Sequence, residues 1–188
     1  MQASMKDVAF WSSTPQQGKT TAARYLQHFG YAKFAFADPL YAMLRSMLLT
    51  AGYERSEIDF YLSEGKEEVI PEIGVSCRHL TRTLGTEWGR HIIDQNLWVK
   101  VARKRILKEQ GDIYRRPICF DDLRFPNELE LLKRHGFTLI RVVRETGRSD
   151  YHVSDLALRD YDGWDHVVEN NGTPEEFNFK IQKLLEWN

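Results

Sequence analysis

The feature that most constrains this chain is an apolar run at 7–12 that passes through a polar loop into Gly18-Lys19-Thr20-Thr21 and a segment of helical period. A strand, a short polar loop and a helix opened by Gly-Lys-Thr form a cradle for phosphate. Backbone N–H groups curl around the oxygens, and the helix dipole favours negative charge there. In that geometry Gly18 lets the backbone approach closely. Lys19 brings a point charge to the β- and γ-phosphates of ATP, and the Thr20 hydroxyl can ligate Mg²⁺. Gln17 and Thr21 join them as ATP-contacting candidates. The general pattern is G-x-x-x-x-G-K-[ST], and its first position is occupied here by Ser13. That departure matters, because a glycine there relaxes the backbone where the strand turns into the loop.

Downstream, apolar runs bounded by turn residues alternate with helical periods, which points to an α/β fold with a mostly parallel sheet. Strands are predicted at 7–12, 31–35, 117–120, 137–143 and 166–169. Helices are predicted at 18–28, from Leu40 with Met43, Leu44, Met47 and Leu48 on one face, at 78–84 with breaks near Gly85 and Gly89, at 97–108 and at 126–135. Thr173-Pro174 with Glu176 reads as a capping box opening a last helix. Residues 53–75 are acidic and read as irregular, an insertion over the edge of the core. The expected architecture is the P-loop NTPase three-layer α/β/α sandwich in a single domain, 1–188.

Composition excludes several alternatives. The chain has 188 residues with a net charge of -1, so no global basic field draws it to a nucleic-acid polymer or an anionic membrane. No stretch is long and apolar enough for a membrane span, and the N-terminal residues do not form a signal peptide, so a cytoplasmic location is expected. Cys77 and Cys119 match no zinc spacing and read as buried reduced thiols.

Several residues carry phosphate chemistry. Arg78 and Arg82 lie four apart on one helical face, and guanidinium groups suit bidentate phosphate recognition. Asp121 and Asp122 end an apolar strand, where a carboxylate can organise Mg²⁺ through water; a turn with an ion pair is the plainer reading. Arg124 follows them. Asp38, before Pro39, reads equally as a helix cap and as a ligand contact beyond the second strand. Lys66 reads as a surface lysine or as a cation for an acceptor phosphate. Trp88 and Trp98 read as core aromatics on their own. Arg144 and Arg148 flank Gly147 in a polar segment suited to a lid over ATP, with His152 as a structural hydrogen-bonding group at its hinge.

Longer blocks carry a resemblance: Arg78-His79-Leu80-Thr81-Arg82-Thr83-Leu84-Gly85-Thr86-Glu87-Trp88-Gly89-Arg90, Asp94-Gln95-Asn96-Leu97-Trp98-Val99, Phe36-Ala37-Asp38-Pro39-Leu40, Asp122-Leu123-Arg124-Phe125-Pro126-Asn127-Glu128 and His152-Val153-Ser154-Asp155. In this order and spacing the chain resembles the deoxynucleoside monophosphate kinases of bacteriophages, from about Phe10 to Leu185. The resemblance implies transfer of the γ-phosphate of ATP to a deoxynucleoside 5′-monophosphate (dNMP), with Mg²⁺. It implies an adenylate-kinase-like build, with an acceptor-binding helical insertion at about 40–100 and a lid at about 144–160. It places Arg78, Gly85 and Trp98 in the acceptor pocket, inclines Trp98 to a functional role and makes Asp122 the metal-side aspartate. Lys66, Arg82, Trp88, Arg124 and Asp38 remain further acceptor-side candidates. Kinases resembling this one can be homodimers. Two other readings stay open: another small-molecule kinase of the dephospho-coenzyme A or phosphomevalonate type, and a non-catalytic nucleotide-binding module.

Overall fold

The computed structural model describes residues 5–145 and 157–186, and the chain divides into two compact units, 1–35 with 102–188, and 36–101.

The first unit is built on a five-stranded sheet of β1 (Val8–Trp11), β2 (Ala32–Phe34), β3 (Ile118–Phe120), β4 (Thr138–Val143) and β5 (His166–Glu169). The order is β2-β3-β1-β4-β5 and every pairing is parallel. All four residues of β1 and all three of β3 are buried, the continuous apolar pattern of strands covered on both faces. Helix α1 (Lys19–Gln27) leads from β1 outward to β2. Helix α6 (Pro126–Arg134) leads from β3 across to β4 in the opposite direction. Right-handed crossovers in opposite directions put these two helices on opposite faces, which gives the α/β/α layering. On one face Val8, Phe10, Ile140, Val142 and Val168 pack with Ala22, Ala23 and Leu26 of α1 and with Phe177 and Ile181 of α7 (Pro174–Glu186). Helix α6 buries Leu129, Leu131 and Leu132. The capping box of α7 is present: Glu176 N–H donates to Thr173 Oγ1 at 3.2 Å and Thr173 N–H to Glu176 Oε2 at 3.0 Å.

At the amino end of the strands, buried Asp7 acts as a polar clasp. Its carboxylate accepts from Ile118 N at 2.8 Å, from Gln110 Nε2 at 2.8 Å and from Arg115 at 2.7 Å. Gln110 lies in α5 (Leu97–Gln110) and also donates to His135 O at 3.3 Å. The stretch 110–118 is thus tied to the start of β1 at one carboxylate.

The second unit contains α2 (Asp38–Thr50), α3 (Arg55–Leu62), α4 (Cys77–Arg82) and a π-helix (Thr83–Ile93). Leu44, Leu48, Ile58, Ile70 and Cys77 form its core. Two expectations are corrected here. The stretch 53–75 is not wholly irregular: α3 forms within it, its start held by Glu54 N–H donating to Glu57 Oε2 at 2.8 Å, and Ile58 is its buried anchor. The helix at 78–84 does not break at Gly85 and Gly89. It widens into an 11-residue π-helix that carries both glycines on its buried side. Both cysteines are free and buried, and burial pushes the Cys119 thiol up to about 12.

Candidate active site

The loop read from the sequence as a phosphate cradle, 12–18, leaves the carboxyl end of β1, the central strand. In an open parallel sheet, ligands bind beyond the carboxyl ends where chain direction switches, and β1 lies at that switch. The loop is shaped from within. Ser12 Oγ donates to Thr14 O at 2.7 Å, and Lys19 Nζ contacts Ser12 Oγ, so the lysine folds back over its own loop. Gln17 is only 5 % exposed. Thr20 and Thr21 are exposed in the first turn of α1, where a phosphate or its cation would meet them.

Ser13 at the first pattern position does not strain this loop. Among the described residues, the non-glycine positions with positive φ are Gln16 and Glu72, and Ser13 is not one of them. The left-handed turns are taken by Gln16 at 62° and Gly18 at 112°, so glycine is required at position 18 and dispensable at 13.

At the end of β3, Asp121 is buried and pairs with Lys33 at 3.0 Å. The ion-pair reading therefore holds for Asp121, and half-buried Asp122 is the next carboxylate along. Among the described residues no group of three or more His, Cys, Asp or Glu forms a metal cage. One hydroxyl and one carboxylate suit Mg²⁺, which keeps several waters and takes its remaining ligands from phosphates. Arg124 is exposed at the start of α6. Its backbone N–H and that of Phe125 donate to buried Glu128 Oε2 at 2.9 Å and 3.1 Å, so Glu128 fixes the turn that presents Arg124. Sequence reasoning quoted Glu128 within a block and gave it no role.

In the second unit, the chain from Lys66 to Arg78 doubles back. A bridge joins Val69 to Ser76, and Arg78 N–H donates to Lys66 O at 2.8 Å. Two cations 12 positions apart in sequence become neighbours. Lys66 Nζ lies 5.1 Å from the Tyr41 ring centre, and Arg78 Nε pairs with Glu67 at 2.8 Å. Both members of that pair are exposed, so an incoming phosphate would displace Glu67 at little cost. Burial raises the Cys77 thiol, with Thr81 and then Lys66 and Arg78 acting against it. Arg82 is exposed at the end of α4.

Gly85, Gly89 and Trp98 form one unit of packing. Trp98 is 4 % exposed, and its indole N–H donates to Gly85 O at 2.7 Å. A β-carbon on Gly89 would lie 2.5 Å from the Trp98 ring. The π-helix keeps an i→i+5 bond at its end, Asp94 N–H to Gly89 O at 3.0 Å. Such segments concentrate at functional sites because they reposition side chains. Trp88 is partly exposed, and its ring centre lies 6.2 Å from that of Trp98. Asp38 is not a side-chain cap. Ala37 occupies the cap position, and Asp38 sits in the first turn of α2, where its charge still suits the helix dipole.

Arg144 is exposed just past β4, and its carbonyl accepts from Gln17 Nε2 at 3.4 Å. Arg148 and His152 lie outside the described residues, as does most of the segment read as a lid. Asn170 was missed by sequence reasoning, although its Nδ2 donates to Gln17 O at 2.8 Å.

Comparison with known proteins bears on these blocks directly. Residues 49–181 match the family model for deoxynucleotide monophosphate kinase. A protein of Acanthamoeba polyphaga mimivirus, provisionally named a deoxynucleotide monophosphate kinase, is 29 % identical over 177 residues, covering 87 % of this chain and 88 % of the relative. The deoxynucleotide monophosphate kinase of Escherichia phage RB69 is 32 % identical over 140 residues, covering 73 % of this chain and 56 % of the phage protein. Among solved structures, TT1252 from Thermus thermophilus is similar at 18 % identity over 98 % of this chain and 99 % of that one, with a TM-score of 0.49. The family match begins after the loop at 12–18. It takes in the π-helix, the Lys66–Arg78 turn and the end of β3, well over half of the sequence, and the chain belongs to the deoxynucleotide monophosphate kinase family.

Proposed function

We propose that this protein transfers the γ-phosphoryl group of ATP to a deoxynucleoside 5′-monophosphate, giving the diphosphate for nucleotide supply. The observation that carries the reading is the phosphate-binding loop: a left-handed Gly18 and Lys19 at a helix N-terminus beyond the central parallel strand, in a chain of this kinase family. The chain acts as one kinase domain, with about 40–100 as its acceptor-binding insertion and about 144–160 as its lid.

On this reading Ser13, Gln17, Gly18, Thr20 and Thr21 line the ATP phosphates, and Lys19 holds the β- and γ-oxygens. Phosphoryl transfer spreads charge over the equatorial oxygens, so catalysis is mainly positioning and cationic stabilisation. Lys19 supplies that charge from the loop, and Arg144 and Arg148 supply it from the lid. Thr20 and Asp122 would hold Mg²⁺, which would neutralise phosphate charge. Lys66, Arg78 and Arg82 take the acceptor phosphate, and Arg124 and Asp38 contribute to the acceptor side. Gly85 and Trp98 shape the acceptor pocket by the packing described above, and partly exposed Trp88 meets the base. The acceptor phosphate is already ionised at neutral pH, so no general base is needed. The reaction uses small soluble substrates in the cytoplasm, that of the host for a viral chain, and the protein works alone or as a homodimer.

The test is a coupled assay with Mg-ATP over the four deoxynucleoside monophosphates and their ribo counterparts. Turnover with at least one deoxynucleotide is expected. Failure of all of them, with turnover of another phosphoacceptor, refutes the substrate assignment. Nucleotide binding without any transfer would make the chain a binding module.

A further inference from the structure

We infer that Asn170, at the carboxyl end of β5, is a positioning residue for ATP that acts only through the Gln17-Gly18 peptide. The inference rests on the reading of the chain as an ATP-using kinase and adds a residue that reading does not contain. Asn170 is 7 % exposed. Its backbone N–H donates to Val143 O at 2.8 Å, which fixes it beside the last residue of β4. From that anchor its Nδ2 donates to the Gln17 carbonyl at 2.8 Å. A β-carbon on Gly18 would collide with the Asn170 side-chain amide and come within 3.2 Å of Phe177 Cε1. The asparagine therefore lies directly against the Gln17-Gly18 peptide. The Gln17 side chain adds a second tether through Nε2 to Arg144 O.

The consequence follows from peptide geometry. In a planar trans peptide the C=O and the next N–H point in opposite directions. Asn170 is buried and captures the Gln17 carbonyl, so the Gly18 N–H is turned away from the interior, as a phosphate-binding loop needs. Gly18, at φ 112°, tolerates other backbone orientations, and nothing in its own side chain resists a flip of that peptide. A flipped peptide would offer a carbonyl oxygen to the phosphates in place of a donor. Asn170 supplies the missing restraint from 153 positions away.

The test uses the full chain with Asn170→Ala, Asn170→Asp and, as a control, Thr173→Ala. ATP affinity is measured by titration calorimetry, alongside KM for ATP and for the monophosphate, kcat and Tm. Asn170→Ala should weaken ATP binding about 5- to 20-fold, the range of one lost hydrogen bond with a polar group left unpaired. Asn170→Asp keeps the shape, loses the donor and adds negative charge, and should weaken it more. KM for the monophosphate and kcat at saturating ATP should stay within about twofold, the signature of lost donor binding alone. Thr173→Ala loosens the cap of α7 and should lower Tm without changing ATP affinity. Parental ATP affinity in both Asn170 variants overturns the inference, and so does an equal loss in Thr173→Ala. Should the parent chain bind ATP yet phosphorylate no deoxynucleotide, the proposed reaction fails while the binding comparison still decides the role of Asn170.

Discussion

Replacing Asp7 with alanine should cost the first unit about 3 kcal/mol while leaving its phosphate-binding loop intact. Asp7 is 3 % exposed and is the acceptor for three donors. Removing it leaves the Ile118 N–H without its partner beside a fully buried side chain, a cost of about 1–3 kcal/mol. Gln110 keeps its bond to His135 O, and Arg115, 41 % exposed, turns to water, so these two losses are smaller. Removing one member of a buried charge pair typically costs about 3–5 kcal/mol, and the half-exposed arginine puts this case at the low end. For a chain of this size about 3 kcal/mol corresponds to a Tm lowered by about 6–12 °C. Asn at this position keeps an acceptor oxygen for the Ile118 N–H but turns an NH₂ toward Gln110 and Arg115, so Asp7→Asn should recover only part of the loss. Urea unfolding followed by tryptophan fluorescence gives the midpoint and the slope, and an unchanged slope identifies a pure stability effect. The clasp lies at the amino end of the strands and the loop at the carboxyl end, so KM for ATP below the melting range should not move. A Tm within about 2 °C of the parent would refute the clasp as an energetic feature.

Lys19→Ala should cut turnover well over tenfold with Tm and circular dichroism preserved, on the scale of a lost transition-state clamp; parental turnover would sink its catalytic role. Gly89→Ala forces the buried Trp98 ring off its bond to Gly85, and should cost about 1–3 kcal/mol by overpacking and raise KM for the acceptor. Normal stability and an unchanged acceptor KM would show that the π-helix gives way freely. Burial and then Arg103 lower the pKa of His135 against the pull of Asp7. Its unfolded form therefore binds protons first, and its contribution to stability is lost as pH falls below about 6.5. His135→Gln should flatten the fall in Tm between about pH 7.5 and 5.5; a variant that loses as much Tm as the parent across that range removes the histidine from the account.

The sheet was legible because its signals are local. The run Val8–Trp11 is apolar throughout, and His166–Glu169 has the bounds read from the sequence. The Thr173-Pro174 start of α7 was legible for the same reason, since a capping box lies within four residues. What escaped the sequence depends on distant partners. α3 hides in an acidic stretch because only one of its residues, Ile58, is fully buried, with Tyr61 and Leu62 half-buried beside it. Gly85 and Gly89 read as breakers until Trp98 is seen to bond the Gly85 carbonyl and to fill the space a β-carbon on Gly89 would need. Asn170 sits in Glu169-Asn170-Asn171-Gly172, which reads as a turn, and its role exists only once Gln17 is folded against it. Glu128 signals nothing by itself; its carboxylate matters through the two backbone donors it gathers.

The position of β1 has a consequence for how the chain acquires its fold. Val8 must find Cys119 on one side and Thr138 on the other, so the central strand is made first and waits for partners that come late in the chain. Closing so long a loop is slow, because chain entropy is lost before any contact rewards it. The stretch 36–101 has its own core and can collapse while β1 still waits. Until residues 118–143 arrive, Val8–Trp11 is an uncharged, Pro-free strand with both edges bare, the kind of segment that associates between chains. Chains cut short before β3 should therefore aggregate through β1, and refolding at high protein concentration should lose yield at that step.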